Sequence, residues 1–364
     1  MSNEHAEHIN IALVGAGAIG PLHVKSILKN PRTRLACIVD PSPAAELVAK
    51  GYAVPLFTSV AALASSSIAS LVSAAVICTP NSTHVPLTDE IASIIKVPIL
   101  VEKPLCSTPS EGRALLEAAP PILVGHHRRF NSYVVATKRL LDGGILGRPV
   151  AVSGLWTTQK PAAYFTTTWR TSRAASGGPV AINLIHEVDC LQYLLGPIVR
   201  VTAEKTVTTR PPNVDPRDAV EEGCAILLRF ASGVVGTFVL SDAVASPHNF
   251  EAGTGESPIV PFCGRDFWRF FGTSASLSVP EMRVSRFAPA PGVDNGWACP
   301  IGDEAVPVDV EVPFDLQMDH FADVVVGKEK PRCTVQDALL AVAVCDAVVR
   351  SMDTGLPVDV ESIL

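Results

Sequence analysis

The chain has 364 residues, with 36 acidic side chains against 29 basic ones for a formal charge of −7; 48% of it is hydrophobic and only 18% is charged. That length suits two domains, the apolar content is ample for substantial cores, and the low charged fraction argues against a disordered or coiled-coil protein. No basic block points to nucleic acid, no apolar run is long enough to span a bilayer, and the polar, acidic first residues are unlike a signal peptide. The nine cysteines lack CxxC or metal-type spacing and several (Cys37, Cys78, Cys224, Cys345) sit in apolar runs, as expected of reduced core residues in a cytoplasmic protein.

In chain order, the apolar run from Ile9 to Val14 fits a buried strand and breaks into Gly15-Ala16-Gly17-Ala18-Ile19-Gly20. In a dinucleotide site Gly15 permits the strand-to-helix turn, Gly17 lets the backbone approach a pyrophosphate, and Gly20 lets the helix pack closely. The N–H groups of the following helix, Ala18 and Ile19 among the turn residues before it, face the anion. Asp40 ends a second apolar run about twenty residues further on, where a carboxylate holds ribose hydroxyls. That carboxylate would repel the 2′-phosphate of NADP, and Pro41-Ser42-Pro43 offer no arginine to neutralise it, so NAD is favoured. Arg32 and Arg34 lie near in sequence and leave dual use open.

Helices are expected at Ala44 to Gly51, Leu63 to Ser70, Thr83 to Ile95 and Ser110 to Ala118. They alternate with strands at Ala74 to Cys78, Pro98 to Val101 and Pro121 to Val124, the pattern of a parallel, doubly wound Rossmann sheet. Functional residues belong at the C-terminal strand ends, where Asp40, Thr79, Glu102 and His126 fall. Beyond this come β-rich runs at Val150 to Trp156, Val199 to Thr208, Cys224 to Phe230 and Val234 to Leu240. They suit a large, open, mainly antiparallel sheet, interrupted by helices at Asn183 to Leu195 and Gln336 to Asp353. The stretch Ala288 to Pro307, rich in Pro and Gly, is expected to be a surface excursion. The expected fold is α/β: a Rossmann domain over 1–125 and a C-terminal α+β substrate and oligomerisation domain over 126–364.

Two constellations carry chemistry. Glu102-Lys103-Pro104 ends a strand of the first domain, where a desolvated lysine can shuttle a proton at neutral pH. The same tripeptide also suits a surface lysine before a turn proline. Asn183, His186 and Asp189 recur every three residues and share one helical face amid apolar neighbours. Such a stripe is expensive to bury without partners, and its histidine is either a catalytic group or a satisfied core residue. A metal centre is not expected, since the adjacent His126 and His127 on a strand would point in opposite directions.

The chain resembles the Gfo/Idh/MocA family, the relatives of glucose–fructose oxidoreductase and inositol dehydrogenase. GAGAIGPLH (Gly15 to His23), CTPNSTH (Cys78 to His84), EKP (Glu102 to Pro104), GHHRRFN (Gly125 to Asn131), SGGPVAINLIHEVD (Ser176 to Asp189) and HFADVVVGKEKP (His320 to Pro331) carry the resemblance, in the family's order. It implies a Rossmann domain joined to a larger domain whose open sheet mediates dimers or tetramers. Lys103 would be the catalytic lysine, and His186 the histidine that exchanges the substrate hydroxyl proton. Thr79, Pro80, Asn81, His84 and Glu102 would lie along the cofactor, and Arg129, Trp169 and Arg170 near the substrate mouth, with Asn183 and Asp189 beside them.

The chain departs from the family at Ile182, where the usual pattern has an aspartate four residues before the histidine; Asn183 supplies the polar group instead. Asparagine hydrogen-bonds but cannot take a proton at neutral pH. The expected function is an NAD-dependent oxidoreductase of a sugar, cyclitol, sugar acid or related polyhydroxy molecule, with no nucleic-acid or membrane partner. The alternatives are an enzyme that uses bound NAD transiently for isomerisation or elimination, and a catalytically inactive dinucleotide sensor. Specificity is expected from Trp156, Tyr164, Trp169, Arg170, His248 and the loop from Asp242 to Glu256, aromatics that also suit core or an oligomer interface.

Overall fold

A computed structural model of the chain describes residues 8–210, 215 and 218–363. The N-terminal stretch read as unlike a signal peptide lies, but for His8, outside the described residues. Two compact units form: one takes the chain through Phe130, Glu311–Val342 and the chain end, the other Asn131–Val310 and Ala343–Ser362. The first unit runs through Phe130, and a late segment, Glu311–Val342, belongs to it as well.

In the first unit, chain order runs β1 (Ile9–Val14), α1 (Gly20–Lys29), β2 (Thr33–Val39), α2 (Ala45–Gly51), β3 (Leu56–Phe57), α3 (Val60–Ala64), β4 (Ala74–Ile77), α4 (His84–Ile94), β5 (Ile99–Glu102), α5 (Pro109–Gly112) and β6 (Ile122–Gly125). All six strands are parallel in the order β3-β2-β1-β4-β5-β6, so the direction of winding reverses between β1 and β4. At such a switch point the strand ends open a crevice for a ligand. Buried Ile11, Leu13, Ile27 and Ile38 fill the core.

Local rules set the element ends. Proline in the first turn of α1 lacks only an N–H that would have no helical partner. The Ser59 side chain caps α3 by accepting from Ala62 N–H at 3.1 Å, which starts that helix before Leu63. The expected helix to Ser70 therefore ends at Ala64, followed by a 3₁₀ turn at Ala69–Leu71. Ser110 to Ala118 likewise divides into α5 and a 3₁₀ turn at Arg113–Glu117.

The second unit holds α6 (Ser132–Asp142), β7 (Pro149–Thr157), α7 (Ile185–Leu195), β8 (Ile198–Lys205), β9 (Gly223–Phe230), β10 (Val235–Ser241), α8 (Phe250–Thr254), β11 (Trp268–Gly272), β12 (Ser276–Val279), β13 (Arg283–Phe287) and β14 (Ile301–Ala305). Then α9 (Pro313–Val325) belongs to the first unit, α10 (Val335–Thr354) has residues in both, and β15 (Val358–Asp359) closes the second. α9 buries Met318, Phe321, Ala322 and Val324, and at its margin Lys29 and Ser26 of α1 bond Asp315 while Arg32 bonds Asp319 and Asp323.

Nine strands order as β14-β13-β12-β11-β7-β10-β9-β8-β15, antiparallel except for the β7–β10 pair. The expected excursion at Ala288 to Pro307 contains β14, whose residues are all exposed; backbone pairing to β13 rather than burial makes it a strand. Alternation along β9 and β10 buries every second residue. Phe250, Phe267, Trp268 and Phe270 pack together in the buried core, and Trp268 Nε1 donates to buried Glu187 at 2.9 Å. Register puts Ala225, Leu227, Val235, Val239 and Phe271 on the opposite face, where Leu227 and Val235 are exposed by 53% and 47%.

Candidate active site

The glycine turn leaves β1 at the switch point. Gly15 has φ +94, and a Cβ there would lie 2.9 Å from the Cys78 backbone, so both conformation and space demand glycine. At Gly20 a Cβ would come within 2.9 Å of the Gly15 carbonyl oxygen, because the first turn of α1 closes directly over the loop. Gly17 differs: a Cβ there would meet nothing within 4 Å, and Gly17 and Ala18 are exposed. The turn's backbone is thus open to the approach of a pyrophosphate, and these residues fit a dinucleotide.

Asp40, just past the end of β2, accepts from Ala16 N–H through Oδ2 and from Ser42 N–H through Oδ1, each at 2.8 Å. The carboxylate therefore holds the glycine loop as well as its own turn. Each oxygen has a second lone pair, so the half-buried carboxylate still has acceptor positions for ribose hydroxyls.

Thr79, Pro80 and Asn81 follow β4, and Thr83 Oγ1 lies 2.7 Å from Thr79 Oγ1. His84, expected along the cofactor, is buried: its ring nitrogens lie 2.8 Å from the Thr79 carbonyl and 2.7 Å from that of Pro104. It clamps the loop after β4 to the loop after β5 and has no ring nitrogen left over. Glu102 is buried too and meets His23 Nε2 at 2.7 Å through Oε1, while Oε2 accepts the Lys103 N–H at 3.2 Å. Burial would raise the Glu102 carboxyl, but the His23 hydrogen bond and charge, then His127 and Lys103, outweigh it and hold the group at about 2. His23 sits edge-on to Phe314 at 5.3 Å, and His127 stacks on the same ring at 4.6 Å. His127 opens a 3₁₀ turn instead of continuing a strand. Lys103 itself is half-buried at the strand end, beside this locked carboxylate.

In the second unit the helix expected from Asn183 starts earlier, as a π-helical turn at Val180–Leu184 that runs into α7. Such turns recur at functional sites. Glu221 Oε1 accepts the Val180 N–H at 3.0 Å and caps its start; burial raises the Glu221 carboxyl. His186 is 7% exposed and Asp189 fully buried, whereas Asn183 is half-buried. Asn183 Oδ1 accepts from Lys160 Nζ at 2.7 Å. Lys160 follows β7, lies over the Tyr164 ring at 4.4 Å, and stands 3.7 Å from Asp242. Asp242 in turn binds Arg210 at 2.5 Å, and Glu222 accepts from the backbone N–H groups of Thr209 and Arg210. Burial lowers Lys160 to about 8, helped by Arg210 and Arg170 and opposed by Asp242 and Glu251.

Other expected residues divide. Trp169 is 43% exposed, and Arg170 stacks on Tyr164 at 4.0 Å while donating to its carbonyl. Arg129 is buried, donates to the Arg332 carbonyl at 2.7 Å and stands 3.4 Å from Asp337, so the packing of the first unit engages it. Neither His23 nor Lys160 is marked as a site residue by any motif in the chain. The lysine had one signal: Lys160-Pro161, in the loop after β7, repeats the Lys-Pro dipeptide of Lys103-Pro104.

The family profile for the GFO/IDH/MocA oxidoreductases, NAD-binding Rossmann fold, matches residues 9–121, and that for their C-terminal alpha/beta domain matches 138–360. An inositol 2-dehydrogenase of Rhizobium meliloti (strain 1021) is 31% identical over 62% of this chain and 66% of its own length. The scyllo-inositol 2-dehydrogenase (NAD(+)) of Bacillus subtilis (strain 168) is 26% identical over 98% of this chain and 97% of its own. Among solved structures, an oxidoreductase from Agrobacterium radiobacter in complex with NAD+, L-tartaric acid and magnesium superposes with a TM-score of 0.77 at 18% identity, covering 98% of this chain and 100% of that one. A levoglucosan dehydrogenase with NADH and levoglucosan gives the same TM-score of 0.77 and the same coverage, 98% and 100%, at 18% identity.

The Glu102 carboxyl lies below the ordinary 4.5 of a glutamate, so the buried pair stabilises the fold fully above that pH and loses its contribution as pH falls from 4.5 towards 2. His23→Gln keeps a donor but removes the charge, so the carboxyl rises. Acid unfolding followed by far-UV circular dichroism should then begin at higher pH than in the parent; coincident curves would dismiss the pair.

Proposed function

Because the chain belongs to the Gfo/Idh/MocA oxidoreductase family, we propose that it transfers a hydride between NAD and the carbinol or carbonyl carbon of a sugar, cyclitol, sugar acid or related polyhydroxy compound. The observation that carries this reading is Lys103, an amine at a strand end of the nucleotide-binding sheet, its peptide N–H held by a carboxylate that His23 locks. The bound nicotinamide supplies the hydride chemistry. The chain supplies the proton: Lys103 and His186 are assigned to accept the hydroxyl proton in oxidation and return it in reduction. Asn183 orients an oxygen without exchanging a proton. Asp189 is fully buried and is left out of the proton path. Inositol dehydrogenases among the relatives, and neighbours that hold tartaric acid or levoglucosan, support the polyhydroxy substrate class.

Lys103→Met should lower turnover in a screen of NAD with inositols and sugar acids by about 10²–10⁴-fold, the range of one acid–base group, while NAD affinity stays near the parent's. Retained turnover would remove Lys103 from the chemistry, and product without NADH accumulation would mean that bound NAD is recycled. The Asp40 carboxylate, open to ribose hydroxyls and repulsive to a phosphate, favours NAD. Calorimetric titration should therefore find NADH binding tighter than NADPH, and the reverse order contradicts this role of Asp40.

The exposed row of Leu227, Val235, Val239 and Phe271 is assigned to contact between copies of the chain. Val239→Glu should then lower the particle mass found by light scattering, and an unaltered mass rejects the assignment.

A further inference from the structure

We propose that Lys160 is a positioning residue that fixes the Asn183 side chain with its NH₂ group outward, so that this face of the site recognises an acceptor oxygen, a ketone or a carboxylate, on the polyhydroxy substrate. This rests on the reading of Asn183 as a substrate-binding residue given above. A lysine ammonium carries donors only, and an asparagine amide has one acceptor end and one donor end. Lys160 Nζ stands 2.7 Å from Asn183 Oδ1. A flipped amide would press NH₂ against NH₃⁺, two donors with no acceptor, so the pairing permits one orientation. Among the described residues Asn183 Nδ2 makes no hydrogen bond, and the residue is half-buried rather than sealed. The amide therefore offers its N–H groups to whatever approaches.

Lys160 is itself held from several sides. Its backbone N–H donates to the Asp242 carbonyl at 3.0 Å, and Nζ lies 3.7 Å from the Asp242 carboxylate. The rings of Tyr164 and Trp156 lie 4.4 and 5.3 Å away. Arg210 binds the other oxygen of Asp242, which keeps that carboxylate turned into the cluster. An aspartate in the place of Asn183 would offer acceptors and bind hydroxyl protons; the Lys160–Asn183 pair offers donors and reverses that polarity. Arg170 points the same way. Its guanidinium rests on Tyr164, no carboxylate among the described residues pairs with it, and its buried Nε has no partner. A second donor-only group without an acid beside it suits a substrate that brings its own negative oxygen.

The charged and titratable groups around Lys160 are Asp242, Glu251, Arg210, Arg170 and Tyr164. Burial, with Arg210 and Arg170, outweighs the opposing pull of Asp242 and Glu251 and lowers the amine to about 8. Below that pH the ammonium holds the amide; above it the neutral amine can accept, and the amide is released. The experiment has two arms on the full chain. In the first, ¹⁵N NMR follows the Asn183 side-chain amide, identified by its loss in Asn183→Ala. In the parent its signal should move with a midpoint near pH 8, and Lys160→Arg, still a donor but not titrating there, should abolish the movement. In the second arm, NAD reduction is measured with D-gluconate and with myo-inositol. Gluconate should be the better substrate, and Lys160→Met should lower kcat/KM on it by roughly ten- to a hundredfold, the size of one hydrogen bond to a charged group. Lys160→Arg should recover most of that loss, and Lys160→Met in an Asn183→Ala background should add nothing further.

An amide signal that titrates equally in Lys160→Arg, full activity of Lys160→Met, or losses that multiply in the double variant would each overturn the positioning role. A preference for myo-inositol would overturn the acceptor-oxygen class. Titration of the amide without turnover of either compound would sink the polyhydroxy reading and leave the Lys160–Asn183 pairing standing.

Discussion

The buried His23–Glu102 pair ties the start of α1, just past the glycine turn, to the end of β5. His23 rises from α1 just after the glycine turn, and Glu102 is the last residue of β5. Their 2.7 Å contact fixes the distance from the start of α1 to the peptide that carries Lys103. A charged carboxylate without solvent needs partners, and this one has an imidazole on one oxygen and a backbone N–H on the other. His84 repeats the device a strand away, linking the loops after β4 and β5 through two carbonyls. The loops at the switch point are thus fastened by side chains whose own polarity requires it.

The second unit solves a different problem. One turn before His186 this chain has Ile182 and then Asn183, where the family resemblance led to the expectation of a carboxylate. The negative charge reappears off the helix, at Asp242 and Glu222, compensated by Arg210 and Lys160. A neutral amide therefore stands in the turn before the histidine, with an ammonium behind it. Glu221 caps the π turn that brings these residues round. An isolated buried ammonium would be untenable; in this cluster Asp242 and the faces of two aromatic rings receive it.

Much of this was legible in one dimension. The apolar strands, the glycine spacing and the strand-ending Asp40 led directly to the parallel sheet, because a period of two or of 3.6 and a φ that only glycine tolerates are local properties. The glycine roles were less local: Gly15 and Gly20 are demanded by neighbouring backbone, and only Gly17 faces open space. Helix ends were misplaced where a cap decided them, as at Ser59, or where a helix widened into a π turn, as at Val180–Leu184. The edge strand β14 escaped notice because its side chains carry no pattern of burial; its pairing is made by backbone alone.

The sequence by itself determined the kind of protein: a nucleotide-binding doubly wound sheet followed by a β-rich unit, with Lys103 at a strand end and His186 on a helix. It could do so because those features rest on residue type and short spacing. Which polar side chains face outward was decided only in three dimensions. His84 and Arg129 look like site residues in the chain and are engaged by carbonyls of their own unit, while Lys160, unremarked in the chain, meets Asn183 across 23 positions. Hydrogen-bond partners distant in sequence set each group's free valence, and no local pattern records them. The glycine turn itself follows the same rule: its spacing is written in the chain, but its anchoring to Asp40 through Ala16 exists only once the two strands lie side by side.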